Sequence, residues 1–468
     1  MKDFPAIEPD TVFTVVPHDL AVSGGSIARH EGLVVFLDGG LPGETVRARV
    51  TRQKKRFVEA VVEETILPSP DAVPSHCQHG SLCGGCAWTT LSYEAQCAWK
   101  ERQVKETLRR LGSVAFADAT PTEAGAVYDG LLASPKQLAY RNKVEFAFGT
   151  GEQGPALGMK RRGSHEIIPV ATCPLAASPL GDVLAAVRAW MQEENHPVYG
   201  NRQGFLRFLV VRCPEHALKG SGQLLVELIT APTKPNSNAA ASVQALGTRL
   251  LREGLATGFA HSLRSAASDI AYGERILYET GSKTVIEAVG NTLLEAPPQA
   301  FMQVNTPAAA LLYARIQEMA EACAPSTVWD LYSGVGGIAL ALAAPGRTVT
   351  GIENVAEAVA WARRNAHNAA GTVSFRHVDA EKQMAREQTP PDLVVFDPPR
   401  AGIAGSIVDA LLRLRPRNII SVSCDTASQA RDIARLAPLY TVERAGAVDL
   451  FPHTPHVESY ALLTRRTA

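Results

Sequence analysis

The last third of the chain alternates short apolar runs with helical patterns, and this alternation limits the fold more than any other feature. Five runs have the pattern of strands: Val328–Tyr332, Thr348–Ile352, Val373–His377, Leu393–Phe396 and Ile419–Val422. Helical patterns over 336–344 and 356–368 separate the first three of them. Such alternation predicts an α/β fold with a doubly wound, Rossmann-like, mostly parallel sheet, whose ligands bind at the carboxyl ends of the strands.

Two of these predicted strand ends carry acidic residues. The segment 330–337, DLYSGVGG, opens with Asp330 and ends in glycines, and Glu353 follows the second strand. Glycines let the backbone approach a ligand closely, but their spacing here is not the dinucleotide pattern G-x-G-x-x-G. Asp330 would repel a pyrophosphate, whereas an acid at position 353 can bind the hydroxyls of a ribose. The pattern therefore favours a cationic ligand without phosphates, such as S-adenosylmethionine.

Two later strand ends carry further reactive groups. Asp397 begins the rigid turn DPPR, and Cys424 follows the apolar run Ile419–Val422. Cys424 is either an ordinary core thiol or a nucleophile. As a nucleophile, its thiolate would add to an electron-poor carbon of a substrate, and a base would then be needed to remove a proton. Glu458 is our candidate base, with His453 and His456 as alternatives.

The first part of the chain has the pattern of a small all-β unit. Strand-like runs at 12–16, 33–37, 45–50 and 57–62 are separated by glycine-rich turns. A five-stranded barrel of the OB type closes so short a β domain. Six basic residues lie between positions 47 and 56 without an acid among them, which is consistent either with a nucleic-acid surface or with a solvated strand face.

Three cysteines within ten residues indicate a metal centre. Cys77, Cys83 and Cys86 have the spacing C-x5-C-x2-C with intervening glycines. A fourth ligand is needed, and Cys97, Cys173 or Cys213, or a nearby histidine at 76 or 79, can supply it. The Cys-Pro context of residue 173 is frequent for iron–sulfur ligands, but the spacing itself does not choose between zinc and an iron–sulfur cluster.

Between these parts lie a helical pattern over residues 91–112, a polar linker over 120–130 and a mixed α+β segment. We predict strands at 143–148, 205–212 and 223–229, helices at 180–194 and 239–253, and a loop at 232–238. A second basic cluster comprises Lys136, Arg141, Lys143, Lys160, Arg161 and Arg162. The net charge of −1 does not exclude RNA binding by such local clusters. No run approaches the roughly 20 apolar residues of a membrane span and no signal-peptide pattern is present, so we expect a cytoplasmic protein.

Motifs along nearly the whole chain resemble those of one enzyme family. FMQVN at 301–305, DLYSGVG at 330–336, DPPRAG at 397–402, VSCDT at 422–426 and HTPHVE at 453–458 occur in the order typical of RNA uracil-C5 methyltransferases, especially those acting on 23S rRNA. YRNK at 140–143 and CQHGSLCGGC at 77–86 with a distant CPL also resemble this family. The segments 22–28, 30–36 and 41–46 resemble a TRAM domain, an RNA-binding barrel.

This resemblance implies roles for individual residues. It implies that Cys424 is the nucleophile and Glu458 the base. The residues implied to contact S-adenosylmethionine are Gln303, Tyr332, Gly337, Glu353, Asp379 and Asp397. The residues implied to hold a [4Fe-4S] cluster are Cys77, Cys83, Cys86 and Cys173. Gly337 and Asp379 depart from side chains found in some relatives, as do the residues after Cys86.

Together these observations predict three domains: a TRAM or OB-like barrel over residues 1–70, a central iron–sulfur domain over 71–295 and a methyltransferase domain over 296–468. The helix at 91–112 is expected to pack on the last of these. We predict a monomeric enzyme that does not bind membranes and that transfers a methyl group from S-adenosylmethionine to C5 of a uridine, in 23S rRNA or alternatively in tRNA. Other hypotheses are an amino-group methyltransferase using DPPR, a radical enzyme using the cluster, and a non-catalytic RNA-binding protein.

Overall fold

The computed structural model describes residues 7–80, 82–117, 125–178, 180–215, 223–232 and 238–466. The chain forms two compact units: the first contains Met1–Arg102 and Phe451–His456, and the second contains Gln103–Leu450 and Val457–Ala468. Among the described residues, no helix is long and apolar enough to cross a membrane.

The N-terminal part of the first unit is all-β, as predicted. Its six strands are β1 Val12–Val15, β2 Asp19–Leu20, β3 Ser26–His30, β4 Leu33–Asp38, β5 Thr45–Gln53 and β6 Phe57–Leu67. They form one sheet in the order β1-β5-β6-β4-β3-β2, in which β4 and β6 are parallel. Alternate residues of β5 are buried, so its apolar side chains enter a core with Val35 and Val58 while its arginines remain outside.

Two elements follow the cysteine-rich loop. They are the helix α1 Tyr93–Leu111 and the strand β7 Val127–Leu132. Val104 and Leu108 of α1 are buried in the core of the C-terminal sheet, within the second unit. The predicted linker over 120–130 is wrong from residue 127 onward, because β7 is a strand; residues 118–124 lie outside the described part of the chain.

The central segment is a seven-stranded sheet covered by two helices. Its elements are β8 Lys143–Gly151, β9 Gly154–Lys160, β10 Ile167–Pro169, α2 Gly181–Glu194, β11 Leu206–Arg212, β12 Leu225–Thr230, α3 Ala239–Arg252, β13 Gly258–Leu263 and β14 Arg275–Gly281. The strand order is β10-β9-β8-β11-β12-β13-β14. The three strands and two helices predicted here are confirmed, and residues 233–237 of the predicted loop lie outside the described residues. A hairpin of β15 Val285–Val289 and β16 Thr292–Ala296 follows.

The C-terminal segment has the predicted doubly wound sheet. Its elements are α4 Thr306–Cys323, β17 Thr327–Leu331, α5 Gly337–Ala341, β18 Thr348–Glu353, α6 Ala356–Asn365, a 3-10 turn at Ala366–Asn368, β19 Thr372–His377, α7 Ala380–Arg386, β20 Leu393–Phe396, α8 Gly405–Leu414, β21 Asn418–Ser423, α9 Thr426–Leu436, β22 Tyr440–Val448 and β23 Glu458–Arg465. The sheet order is β19-β18-β17-β20-β21-β23-β22-β7. The first five strands of this order are parallel, and β23 joins β21 and β22 antiparallel. This topology brings the carboxyl ends of β17, β18, β20 and β21 to one edge.

Candidate active site

A small cleft lies beside the carboxyl end of β17. Its volume is about 50 Å³. Four residues predicted to bind the cofactor line it: Gln303, Tyr332, Gly337 and Asp397. Gln303 lies just before α4, which begins after Asn305 because the Asn305 side chain accepts a hydrogen bond from the Ala308 N–H (3.2 Å). The cleft therefore lies at the sheet edge at which a ligand was expected.

The cleft contains buried polar atoms without protein partners in the described part of the chain. Asp330 Oδ2 accepts a hydrogen bond from the Ala339 N–H (2.9 Å), whereas Asp330 Oδ1 and Ser333 Oγ have no such partner. Asp330 is only 1% exposed, and burial raises the pKa of its carboxyl well above the usual value. Because unpartnered buried polar groups are costly, these atoms fit a ligand that brings hydrogen-bond donors or positive charge.

The loop after β17 has an unusual backbone. Tyr332 has φ of 65°, a left-handed conformation that is uncommon for a bulky side chain. A Cβ atom at Gly337 would lie 2.3 Å from the hydroxyl of Tyr313, which is buried on α4 and lines the same cleft. The departure from relatives at Gly337 therefore coincides with a tyrosine that fills the space. Tyr313 belongs to none of the sequence motifs, because a tyrosine on an amphipathic helix has the pattern of a core residue.

Glu353 and Asp379 hold the backbone around the cleft rather than lining it. Glu353 Oε2 accepts from the Gly334 N–H (3.0 Å), and its Oε1 accepts from the N–H groups of residues 354 and 355 (both 2.8 Å). Asp379 Oδ1 accepts from the Lys382 N–H (3.2 Å) and so caps α7. Of the six predicted cofactor residues, these two lie outside the described lining of the cleft.

The predicted nucleophile and base lie beside the same end of two paired strands. β21 and β23 pair antiparallel, and their register ends with Ser423 opposite Ser459. Cys424 follows Ser423 directly, and Glu458 directly precedes Ser459. The two side chains are close enough for the carboxyl of Glu458 to raise the pKa of the Cys424 thiol. The sheet thus brings together two residues that are 34 positions apart in the chain.

Burial and like charge shape the protonation of this pair. The pKa of the Cys424 thiol is raised to about 11, mainly by burial and also by the carboxyls of Glu458 and Asp397, while Arg400 opposes them. Burial also raises the pKa of Glu458 well above its usual value, again with Asp397 adding and Arg400 opposing. The pKa of Asp397 is raised to about 6 by burial. One thiol and two carboxyls therefore share this site, with the exposed guanidinium of Arg400 acting on them from its edge.

A buried glutamine on α9 braces both strand ends. Gln429 Nε2 donates to the Ser421 carbonyl (3.0 Å), and its Oε1 accepts from the Ser459 hydroxyl (2.8 Å). Asp425, next to Cys424, caps α9 by accepting from the Ser428 N–H (2.7 Å). These bonds fix the backbone on both sides of Cys424. No sequence motif marks Gln429, since its role depends on the pairing of β21 with β23.

The two histidines considered as alternative bases belong to the first unit. The His453 N–H donates to Gln96 Oε1 (2.7 Å), and the His453 carbonyl accepts from the Trp88 N–H (3.0 Å). The ring of His456 packs edge-on against Phe451, with 6.1 Å between ring centres. These contacts are those of a loop held within its own unit.

The cysteine-rich loop does not form a recognisable metal site. The described residues contain no group of three or more Cys, His, Asp or Glu side chains placed to hold a metal ion. Cys77, Cys83 and Cys86 are partly exposed in the first unit, where the Gly85 N–H donates to Cys83 Sγ (3.4 Å). Cys173 lies in the second unit and packs against the core of the central segment. The iron–sulfur ligand set stays a prediction.

Known families match both ends of the chain. Residues 290–466 match the family described as tRNA (Uracil-5-)-methyltransferase, and residues 18–62 match the TRAM domain. An uncharacterized RNA methyltransferase of Nitratidesulfovibrio vulgaris is 40% identical over 458 residues, which cover 96% of this chain and 94% of the relative. The chain belongs to the RNA uracil-C5 methyltransferase family. It is an S-adenosylmethionine-dependent RNA (uracil-C5)-methyltransferase, as the motifs predicted.

A second relative and one solved structure are also similar to this chain over most of its length. An uncharacterized RNA methyltransferase of Geobacter sulfurreducens is 33% identical over 453 residues, covering 95% of this chain and 88% of the relative. The crystal structure of the Pyrococcus abyssi tRNA (uracil-54, C5)-methyltransferase in complex with S-adenosyl-L-homocysteine covers 97% of this chain and 100% of its own, with 25% identity and a TM-score of 0.71.

Proposed function

We propose that this protein methylates C5 of a uridine in structured RNA, giving 5-methyluridine, through a covalent bond between Cys424 and C6 of the base. One observation supports the proposal: Cys424 and Glu458 lie next to the last pair of β21 and β23, Ser423 and Ser459, and interact electrostatically. A nucleophile and a base on adjacent strands can act on the two neighbouring carbons of one ring.

The proposed steps balance in electrons and protons. The Cys424 thiolate donates an electron pair to C6, the C5–C6 double bond opens, and an enolate forms. S-adenosylmethionine would supply a methyl group to C5 and would be left as S-adenosyl-L-homocysteine once its S–CH3 bond has broken. The Glu458 carboxylate removes the C5 proton, the electrons of that C–H bond restore the double bond, and the S–C6 bond breaks to release the Cys424 thiolate.

The resting site must be deprotonated before this chemistry. Because the pKa of Cys424 is raised to about 11, its thiol holds a proton at neutral pH, and burial raises the pKa of Glu458 as well. Arg400 lowers both pKa values and is exposed at the edge of the site. We propose that Arg400, together with positive charge brought into the cleft lined by Asp330 and Asp397, promotes the reactive thiolate.

We propose that the cofactor lies in the cleft at the end of β17. Gln303, Tyr332, Gly337 and Asp397 would contact it directly, and the unpartnered oxygens of Asp330 and Ser333 are suited to its amino group. To bind the ribose, the Glu353 carboxylate would have to accept hydrogen bonds from the ribose hydroxyls in addition to the one that it accepts from the Gly334 N–H. Asp379 would contact the cofactor from its position at the N-terminal end of α7.

Two classes of RNA are candidate substrates. The motifs resemble those of 23S rRNA enzymes, and we propose 23S rRNA as the substrate. tRNA is the alternative, supported by the substrate named for the Pyrococcus abyssi enzyme. In either RNA the target base must leave its stack to reach Cys424.

The test uses RNA in which uridine is replaced by 5-fluorouridine. This base has no hydrogen at C5, so the methylated adduct cannot be resolved and remains attached to Cys424. The protein is incubated with S-adenosylmethionine and either a 23S rRNA fragment library or a tRNA pool, and the attached nucleotide is mapped by mass spectrometry. An adduct on Cys424 is expected, and its RNA identifies the substrate.

The control in this experiment is Cys424→Ser, which should form no adduct. Methylation of normal RNA without any adduct at Cys424 would rule out the covalent mechanism. That outcome would instead support an amino-group methyltransferase built on Asp397 in the DPPR turn after β20, for which Cys424→Ala remains active.

We further propose the three-part organisation and the cluster. The cluster ligands would be Cys77, Cys83, Cys86 and Cys173, supported by the C-x5-C-x2-C loop and the Cys-Pro segment. Protein purified without oxygen should contain about four iron and four sulfide ions per chain, with broad visible absorption. Bound zinc without sulfide, or no bound metal, would overturn this assignment.

A further inference from the structure

A cavity of about 670 Å³ lies on the central sheet and shares no described lining residue with the catalytic cleft. The core that covers one face of this sheet contains side chains from α2 and α3. Ala147, Ile167 and Phe208 belong to a separate, smaller apolar cluster, and all three line the cavity. This volume falls in the range of small-molecule sites and exceeds the space that one nucleobase needs.

A β-bulge turns an arginine into this cavity. In the pairing of β11 with β12, the register passes from Leu206 opposite Thr230 to Phe208 opposite Ile229, so Arg207 has no counterpart. Leu206 lies in the core with the helices, while Phe208 lies in the small cluster. Bulges commonly redirect a side chain at functional sites, and here the redirected side chain is a guanidinium that lines the cavity.

Arg207 is buried and rigidly held. It is 3% exposed, and burial lowers its pKa. Its Nη1 donates to the carbonyls of Arg264 (3.1 Å) and Ala266 (2.6 Å), and its Nη2 donates to the carbonyl of Ser268 (2.8 Å). The guanidinium carbon lies 4.3 Å from the ring centre of Tyr199, a half-buried residue that also lines the cavity. Arg207 Nε has no hydrogen-bond partner in the described part of the chain, so one buried donor is unmatched.

The charges around the cavity are largely paired. Lys160 forms an ion pair with Asp269, and both line the cavity. Glu166, another lining residue, is paired with Arg161 (2.6 Å). Binding a phosphate here would require breaking these ion pairs, whereas binding a neutral ring leaves both of them intact. An aromatic ring, an unmatched N–H and a balanced charge are the features that recognise a nucleobase by stacking and hydrogen bonding.

We propose that this cavity binds a nucleobase from a single-stranded segment of the RNA substrate, separate from the uridine that is methylated. The base stacks on Tyr199, and one of its acceptor atoms receives the Arg207 Nε–H. The inference rests on the proposed function for the identity of the ligand as RNA. In this proposal, the central segment recognises the nucleotide sequence or the structure of the RNA around the uridine that is methylated.

The test uses a single-stranded oligoribonucleotide of about ten residues that contains 4-thiouridine, a length within the range held by single-strand binding modules. Irradiation with the full-length wild-type protein should crosslink the thiobase to a peptide containing Tyr199. In fluorescence anisotropy, Tyr199→Ala should weaken oligonucleotide binding about tenfold, while Tyr199→Phe, which keeps the ring, should bind like the wild type. Tyr272→Ala is the matched control, because Tyr272 is exposed in the same unit and does not line the cavity.

Two outcomes would overturn the inference: crosslinks that map only to other peptides, or equal binding by Tyr199→Ala and the wild type. The crosslink needs no variant, so a misfolded variant does not prevent a decision. Methyl transfer to RNA is measured in parallel. Methyl transfer without a Tyr199 crosslink refutes this site alone, whereas a Tyr199 crosslink without any methyl transfer supports this site and refutes the proposed function.

Discussion

The reactivity of Cys424 is set by its neighbours rather than by its own chemistry. A thiol with a pKa of about 11 is almost entirely protonated at neutral pH, and only the thiolate is a nucleophile. Glu458 and Asp397 raise this pKa, whereas Arg400 lowers it. A raised pKa leaves little thiolate at neutral pH, and susceptibility to oxidation follows thiolate character.

Alkylation of Cys424 by iodoacetamide should therefore keep accelerating as the pH rises above 9, where an ordinary thiol approaches full ionisation. At pH 9, Glu458→Gln removes a charge that raises the pKa and should react several-fold faster. Arg400→Gln removes the opposing charge and should react several-fold slower. Rates are measured by mass spectrometry of the Cys424 peptide, with glutathione as the reference thiol. Equal rates in the two variants would contradict this electrostatic account.

Gly337 and Tyr313 form a second pair whose properties only the structure shows. The sequence marks Gly337 as a departure from relatives, but the reason is a hydroxyl that reaches it from α4. Gly337→Ala should weaken binding of S-adenosylmethionine by about tenfold or more, because the new methyl group overlaps the Tyr313 hydroxyl beside the cleft.

Adding Tyr313→Phe should restore much of that affinity by removing the colliding oxygen. Binding is measured by isothermal titration calorimetry for the two single variants and the double variant. If the double variant binds no better than Gly337→Ala alone, the contact with Tyr313 does not explain the glycine.

At the scale of elements, the sequence predicted the parallel strands well because each one is a short apolar run that ends at a polar group. β17, β18, β20 and β21 lie close to their predicted positions. It did not predict β7, which pairs with β22 although more than 300 residues separate them in the chain. Asp129 of β7 links it to the neighbouring strands: it forms an ion pair with Arg444 of β22 (2.7 Å) and accepts a hydrogen bond from the Tyr460 hydroxyl of β23 (2.9 Å). A pairing at such a distance leaves no local signal.

The contact between α9 and the strand ends next to Cys424 and Glu458 likewise leaves no local signal in the sequence. Gln429→Leu should lower kcat by about tenfold or more while leaving the affinity for S-adenosylmethionine nearly unchanged, because its bonds to Ser421 and Ser459 hold those ends and not the cleft. Gln317→Leu is a matched control, since Gln317 makes its bond to the carbonyl of Ala341 on α5. Steady-state kinetics and calorimetry separate the two effects, and a loss of cofactor affinity with unchanged kcat would contradict this role.

Across the whole molecule, the side chains of the two basic clusters are less available for binding RNA phosphates than the sequence implies. Four of the six residues in the central cluster pair with acids, in Lys136–Glu215, Lys143–Glu145, Lys160–Asp269 and Arg161–Glu166. In the N-terminal sheet, Arg47 pairs with Glu64 and Arg49 pairs with Asp10 and Glu63. Glu215, Asp269, Glu64, Asp10 and Glu63 are distant in the chain from the basic residues that they pair with, so a count of charges along the chain could not reveal these pairs.

This pairing predicts a modest salt dependence of RNA binding that a single substitution can increase. Glu64→Gln frees Arg47, whose side chain is half exposed on β5, for contact with a phosphate. The affinity for RNA should then rise at low salt, and the slope of log K against log salt concentration should steepen by about 0.7–0.9, the value expected for one additional phosphate contact. Glu253→Gln, which removes one of the two acids paired with Arg249 on α3, is the control and should change neither quantity. Binding is measured by filter retention of a tRNA transcript and a 23S rRNA fragment across a salt series. An unchanged slope for Glu64→Gln would show that this face of the N-terminal sheet does not contact the RNA backbone.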